Sequence, residues 1–165
     1  MARPDMTPDF VAIGHVTLDE TETGTRPGGG ALYAALTAHH LGCSAGLLTS
    51  FGPDFPPEVF PPDLQVVNIR AARTTLFRHE PSPKGRRLTL LQRAADLQVD
   101  DLPEPWRDAG LALLAPVASE VDPLLAAAFT EGAVGSAVQG WMRTRSAGGV
   151  LRRAHWEDAP TVIPH

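Results

Sequence analysis

Several things are scarce in this chain. One cysteine, Cys43, in 165 residues excludes an internal disulfide and reads as a small buried thiol following a helix, in a reducing compartment. Lysine occurs once, at Lys84, so the basic residues are almost all arginine. They are spread along the sequence rather than gathered in one patch, which reads as coding bias. No apolar run approaches the roughly 20 residues that cross a bilayer, and Met1–Asp5 lacks the apolar core of a secretory leader. A net charge of −5 gives no general attraction to polyanions. The expectation is a cytoplasmic protein with neither membrane nor nucleic acid as partner. Also missing are G-x-G-x-x-G, a Gly-Lys-Ser/Thr phosphate loop and a G-x-S-x-G elbow, so dinucleotide, P-loop and serine-hydrolase chemistry have no support. The six histidines include the adjacent His39 and His40, which point to different helix faces. His15, His79, His155 and His165 show no ligand spacing, and no metal site is expected.

What is present is a globular composition, with 43% hydrophobic and 20% charged residues, enough for one domain over residues 1–165 with a real core. Phe10–Ile13 is a short, continuous apolar run of the kind that forms a parallel strand covered on both faces. Ala31–Leu41 reads as a helix with Gly42 at its C-terminal cap. Ala45–Phe51, Leu64–Ile69, Leu111–Ala115 and Ala133–Gln139 read as further strands, and Ser119–Asp122 as the cap of a helix reaching about Thr130. Strands alternating with helices give an α/β fold with a largely parallel sheet and helices on both faces. Arg73–His79 and Arg86–Gln92 flank a turn at Lys84-Gly85 and read as a β-hairpin outside that rhythm, a flap over residues 73–92.

The first strand ends in Gly14. Beyond it, in an expected loop, come Thr17 and Asp19, and then Gly28-Gly29-Gly30 ahead of the helix. A carboxylate accepts hydroxyl protons, and bare glycine backbone at a helix N-terminus lets a ligand oxygen come close. In parallel sheets, ligands gather at the carboxyl ends of the strands, where Gly14–Asp19 lies. The bland alternatives are a surface acid beside Glu20 and Glu22 and a flexible turn. Lys84-Gly85-Arg86-Arg87 could touch a phosphate but reads more simply as a solvated hairpin tip. Trp106, Trp141 and Trp156 read as core or interface aromatics rather than stacking platforms.

Val11–Asp19, Pro27–Ala35 with the helix through Leu41-Gly42, the Phe51–Asp54 turn, and Thr74–Phe77 with Gly85–Arg87 together resemble the N-terminal half of the ribokinase-like, PfkB-type carbohydrate kinases. The resemblance implies a Rossmann-type three-layer α/β sandwich with a small β lid. It implies that Asp19, Thr17, Gly28, Gly29 and Gly30 bind substrate hydroxyls. Tyr33 stands where the family has an asparagine, keeping a hydroxyl and losing the amide. A sugar, polyol or nucleoside is the implied ligand, and ATP with Mg2+ the implied cofactors of a full-length member. The family's late G-A-G-D base motif and its N-x-x-E segment have no counterpart here. The chain is therefore expected to be an incomplete domain, with no catalytic residue, inactive alone and binding no cofactor by itself. A sugar-binding module or a half-domain completed by another chain is the alternative, and a homodimer through the lid or the open sheet edge a further expectation.

Overall fold

The computed structural model describes residues 6–83, 85–157 and 159–162, the last two as backbone only. Five short strands form the central sheet: β1 (Phe10–Ile13), β4 (Ala45–Thr49), β5 (Gln65–Asn68), β8 (Leu111–Leu114) and β9 (Ala133–Ser136). Their order is β5-β4-β1-β8-β9, and every neighbouring pair is parallel. A second sheet of four strands contains β2 (Thr17–Thr21), β3 (Gly24–Gly28), β6 (Thr75–Ser82) and β7 (Gly85–Gln92) in the order β3-β2-β6-β7. A small antiparallel hairpin, β10 (Arg143–Arg145) with β11 (Leu151–Arg153), touches the free edge of β7 through a Thr89–Val150 bridge.

Successive residues of β1 point to opposite faces of the sheet, so its apolar run feeds two cores. Phe10 and Ala12 pack with Leu32, Ala35, Leu47 and Leu64 on one side. Val11 and Ile13 pack with Trp106, Leu114, Leu125, Trp141 and Trp156 on the other. Helix α1 (Gly30–His40) covers the first face, burying Ala31, Leu32, Ala35 and Ala38. These small residues let the helix lie close to the sheet.

The opposite face is covered differently from the sequence expectation. The segment after Asp122 is a 3-10 helix, Pro123–Ala128, joined by shorter 3-10 turns at Val99–Asp101 and Glu104–Asp108. Asp122 does cap it, accepting the Leu124 N–H, but the expected α-helix to Thr130 does not form. A proline at the first helical position tolerates either geometry. The layer is completed by aromatic bulk, with Trp106, Trp141 and Trp156 all buried and the last two stacked at 4.6 Å. Cys43 is half-buried rather than buried. No helix among the described residues is long and apolar enough to cross a membrane.

The two sheets are joined at the carboxyl ends of the parallel strands by buried polar side chains. Thr49 Oγ1 accepts the Val16 N–H at 2.8 Å, and Asp54 accepts both the N–H and the hydroxyl of Thr74. The fully buried Glu120, expected to lie in a helix cap, instead accepts the N–H groups of His15, Val117 and Ala118. His15 is the keystone. Ala95 carbonyl can only accept, so the 2.7 Å contact to Nε2 places the ring proton there. Nδ1 of the neutral ring then accepts from the Thr75 hydroxyl at 2.7 Å, whose oxygen in turn accepts the Ala94 N–H.

Burial pushes the His15 imidazole below the ordinary histidine range; Glu120, the Ala95 carbonyl and Asp96 pull it up, Arg93 pushes it down, and burial wins. The unfolded chain then takes up this proton near pH 6.5 while the folded chain still excludes it. Stability is therefore expected to fall as pH drops below about 6.5, before the carboxylates titrate near pH 4. Urea midpoints measured between pH 7.5 and 5 check this. The slope should flatten in His15→Gln, and an unchanged slope would remove His15 as its source.

Candidate functional site

The strand β2 runs directly out of the β1 turn and pairs antiparallel with β3, which returns the chain to α1. The sequence expectation put Asp19 in a loop. The structure puts it in the middle of β2, which also pairs parallel with β6. Thr17, Thr21 and Thr25 favour extended backbone, and the Glu22-Thr23 turn closes a short hairpin. The hairpin expected at 73–92 is present, but as half of this four-stranded sheet. Gly85, expected in its turn, opens β7, and Lys84 lies outside the described residues.

The register brings the candidate residues together. Thr17 pairs with Gly28 and Asp19 with Arg26. A side chain on Gly28 would meet Thr17 Oγ1 at 2.9 Å and Asp19 Oδ2 at 3.1 Å, so the bare backbone leaves both oxygens room. Gly29 has φ 106 and sits where a Cβ would lie 2.4 Å from the His15 carbonyl oxygen. Gly30 begins α1, whose first turn carries no side-chain cap and no acidic residue. Thr17, Asp19 and Gly28–Gly30 thus share one corner, with the positive end of α1 facing it. Tyr33 lies apart: it is 55% exposed, its hydroxyl donates to the Pro27 carbonyl at 3.3 Å, and it lines a groove with Thr37 and Leu41.

His79 escapes any reading by spacing. It lies on β6, two residues beyond the Phe77 that pairs with Asp19. Its Nε2–H donates to Asp19 Oδ1 at 3.1 Å, while its buried Nδ1 has no partner among the described residues. Only strand register, which spacing does not reveal, could have paired residues 19 and 79. The other face of this sheet carries the Glu20–Arg78 ion pair, with Arg78 Nη2 3.1 Å from Glu20 Oε1. No cluster of three His, Cys, Asp or Glu suited to a metal ion occurs among the described residues.

The fold is shared with solved kinases. The chain superimposes on a sulfate complex of a pyrophosphate-dependent kinase in the ribokinase family with a TM-score of 0.74 at 19% identity, over 93% of this chain and 58% of that one. The same kinase class complexed with a pyrophosphate analog and myo-inositol matches at 0.73 and 19% identity, over 93% and 57%. Arabidopsis thaliana ribokinase complexed with ribose and ATP matches at 0.54 and 18% identity, over 79% and 53%. The fold is ribokinase-like. The chain spans less than two thirds of the length of these ribokinase-like neighbours. No family profile matches it, and no curated protein matches it.

The corner geometry separates the three glycines. Gly29→Ala forces a side chain into both a positive-φ conformation and the His15 carbonyl, and should destabilise by at least about 1–3 kcal/mol. Gly30→Ala meets only Ala115 Cβ at 3.4 Å and should be neutral to within about 0.5 kcal/mol. Urea denaturation of the two variants checks the difference.

Proposed function

We propose that this chain forms the acceptor side of a ribokinase-like phosphotransferase, binding a sugar, polyol or nucleoside through its hydroxyls. The observation that carries the reading is the bare Gly28 backbone beneath the Thr17 hydroxyl and the Asp19 carboxylate, at the carboxyl end of a parallel sheet. Asp19 Oδ1 is engaged by His79, which fixes the carboxylate and leaves Oδ2 toward Gly28 to accept a ligand hydroxyl. Thr17 adds a second polar contact, and the first-turn N–H groups of α1 offer donors to a further ligand oxygen. A hydrogen bond to a carboxylate contributes about 1.5–3 kcal/mol, so this set suits a ligand with several adjacent hydroxyls.

Phosphoryl transfer also needs a donor, charge neutralisation and a base for the attacking hydroxyl. In such a reaction ATP or pyrophosphate supplies the phosphoryl group. The described residues include no cluster suited to Mg2+. Asp19 is read as a binding group rather than the base, because it is already tied to His79. The part played here is to hold and orient the acceptor, and the chain alone is predicted not to turn over. A small-molecule binding protein would use the same corner.

The neighbour crystallised with myo-inositol and the one crystallised with ribose supply the ligands to try. Calorimetry with myo-inositol, ribose and adenosine should give binding to at least one. Asp19→Asn should weaken it by about tenfold or more, and Gly28→Ala should do likewise by filling the space below. Undiminished affinity in Asp19→Asn would overturn the reading.

A further inference from the structure

The hairpin of β6 and β7 leaves the parallel sheet and returns to it at neighbouring points, and one side chain meets both. Thr75, the first residue of β6, donates its hydroxyl to His15 Nδ1 at 2.7 Å. Ala95, just past the end of β7, accepts the His15 Nε2–H through its carbonyl at 2.7 Å. The two stems are also tied to each other, the Ala94 N–H donating to the Thr75 hydroxyl oxygen at 2.9 Å. His15 follows the end of β1 and is anchored through its own N–H to Glu120 at 3.0 Å. A single imidazole thus clasps both ends of the hairpin.

The clasp works in one protonation state. Only a neutral ring can donate at Nε2 and accept at Nδ1 together. His15 and Thr75 are both fully buried. A second ring proton, taken from solvent, would sit on Nδ1 and face the Thr75 oxygen, which already accepts the Ala94 N–H. The Thr75 hydroxyl proton would then lose its acceptor, and a buried hydroxyl without a partner is costly.

The groups around the ring divide. Glu120, on the loop after β8, and Asp96, past β7, favour the added charge, and Arg93, also past β7, opposes it. Arg93 is itself held by the Ala118 and Ser119 carbonyls and by Asp96. On the β6 stem, Asp54 is taken up by the N–H and hydroxyl of Thr74. The end of β4 brings two hydroxyls, Thr49, which accepts the Val16 N–H, and Ser50, which accepts the Ala95 N–H. Gly29 brings bare backbone to the His15 carbonyl.

Opening the stems changes the balance. A hydrated ring takes up its proton near pH 6.5, and the closed clasp does not. The open form therefore gains population as pH falls below that value, by up to about tenfold per pH unit. The movement reaches the Asp19 corner, because β6 carries the His79 that is bonded to Asp19 Oδ1.

We propose that His15 is a proton-sensitive latch for the β6–β7 hairpin: neutral, it holds both stems against the end of β1, and protonated, it lets them go. The hairpin moves while the parallel sheet stays folded, which distinguishes the latch from an acid loss of overall stability. The latch stands apart from the acceptor reading of Asp19; its effect on ligand rests on that reading.

The test is hydrogen exchange of the full chain, followed residue by residue between pH 7.5 and 5.5 and divided by the intrinsic rate at each pH. Hairpin amides should exchange through an opening more frequent than the one that exposes β1 and β4. That opening should become at least about fivefold more frequent over this range, and the rise should vanish in His15→Gln. Hairpin amides whose corrected rates ignore pH, or that open only together with β1 and β4, would overturn the latch. The parent protein decides both points whether or not the variant folds. Calorimetry with myo-inositol should show weaker binding at pH 5.5 than at pH 7.5 in the parent and equal binding in His15→Gln. Absence of myo-inositol binding at both pH values, with the exchange result intact, would leave the latch standing and remove the acceptor reading alone.

Discussion

The close crossing of two backbone segments governs everything at the top of this molecule. The chain leaves the central sheet at His15 and returns at Gly29, passing so near the His15 carbonyl that a single methyl would lie 2.4 Å from it. Only glycine permits that approach, and only glycine readily adopts the φ of 106° found there. Once the crossing is made, the excursion between its ends can pair with itself in one way, with Thr17 opposite Gly28. The same pairing sets Asp19 over bare backbone. The crossing also delivers α1 to the sheet with its N-terminus facing the corner. His15, pinned from three directions by Ala95, Thr75 and Glu120, keeps the exit point from drifting.

The four-stranded sheet is anchored at this corner as well as by its own packing. It packs Phe77 and Leu90 against Val117 and Ala118 and Leu18 and Leu76 into the core beneath α1, and two of its strands, β3 and β7, lie at the edges of the sheet. Pro27 on β3 blunts one edge, while the β10–β11 hairpin bonds to the other through Leu90 and Gly149 at 2.9 Å. Polar links to Thr49, Asp54 and Glu120 then fix its orientation over the strand ends. A platform held by hydrogen bonds at its base keeps a defined geometry.

Much of this was legible from residues alone. The continuous apolar run at Phe10–Ile13, the glycines before a small-residue helix and the alternation around residues 73–92 each have a local physical cause, and each element lies where that cause puts it. The β2–β3 hairpin was not legible, because its acidic residues Asp19, Glu20 and Glu22 read as a solvated loop and its pairing partner β6 is nearly sixty residues away. The 3-10 layer over the second face was missed because Pro123 and the alanines after it suit an α-helix equally well. Glu120 looked like a capping acid, yet the backbone N–H groups of Val117 and Ala118 curl around it. The placing of His79 beside Asp19 depends on strand register, a long-range property that no spacing rule contains. The candidate corner was therefore readable in composition, and its neighbours were not.

The account turns on the Asp19 carboxylate and the Gly28 backbone forming two walls of one hydroxyl site. A crystal structure of the protein soaked with myo-inositol tests this most directly. The account predicts a ring hydroxyl within about 3 Å of Asp19 Oδ2, with the ligand resting against Gly28 and Gly29 and His79 still bonded to Oδ1. Density for the polyol in another cavity, such as the groove beside Tyr33 and Leu41, with the Asp19 corner empty, would contradict it.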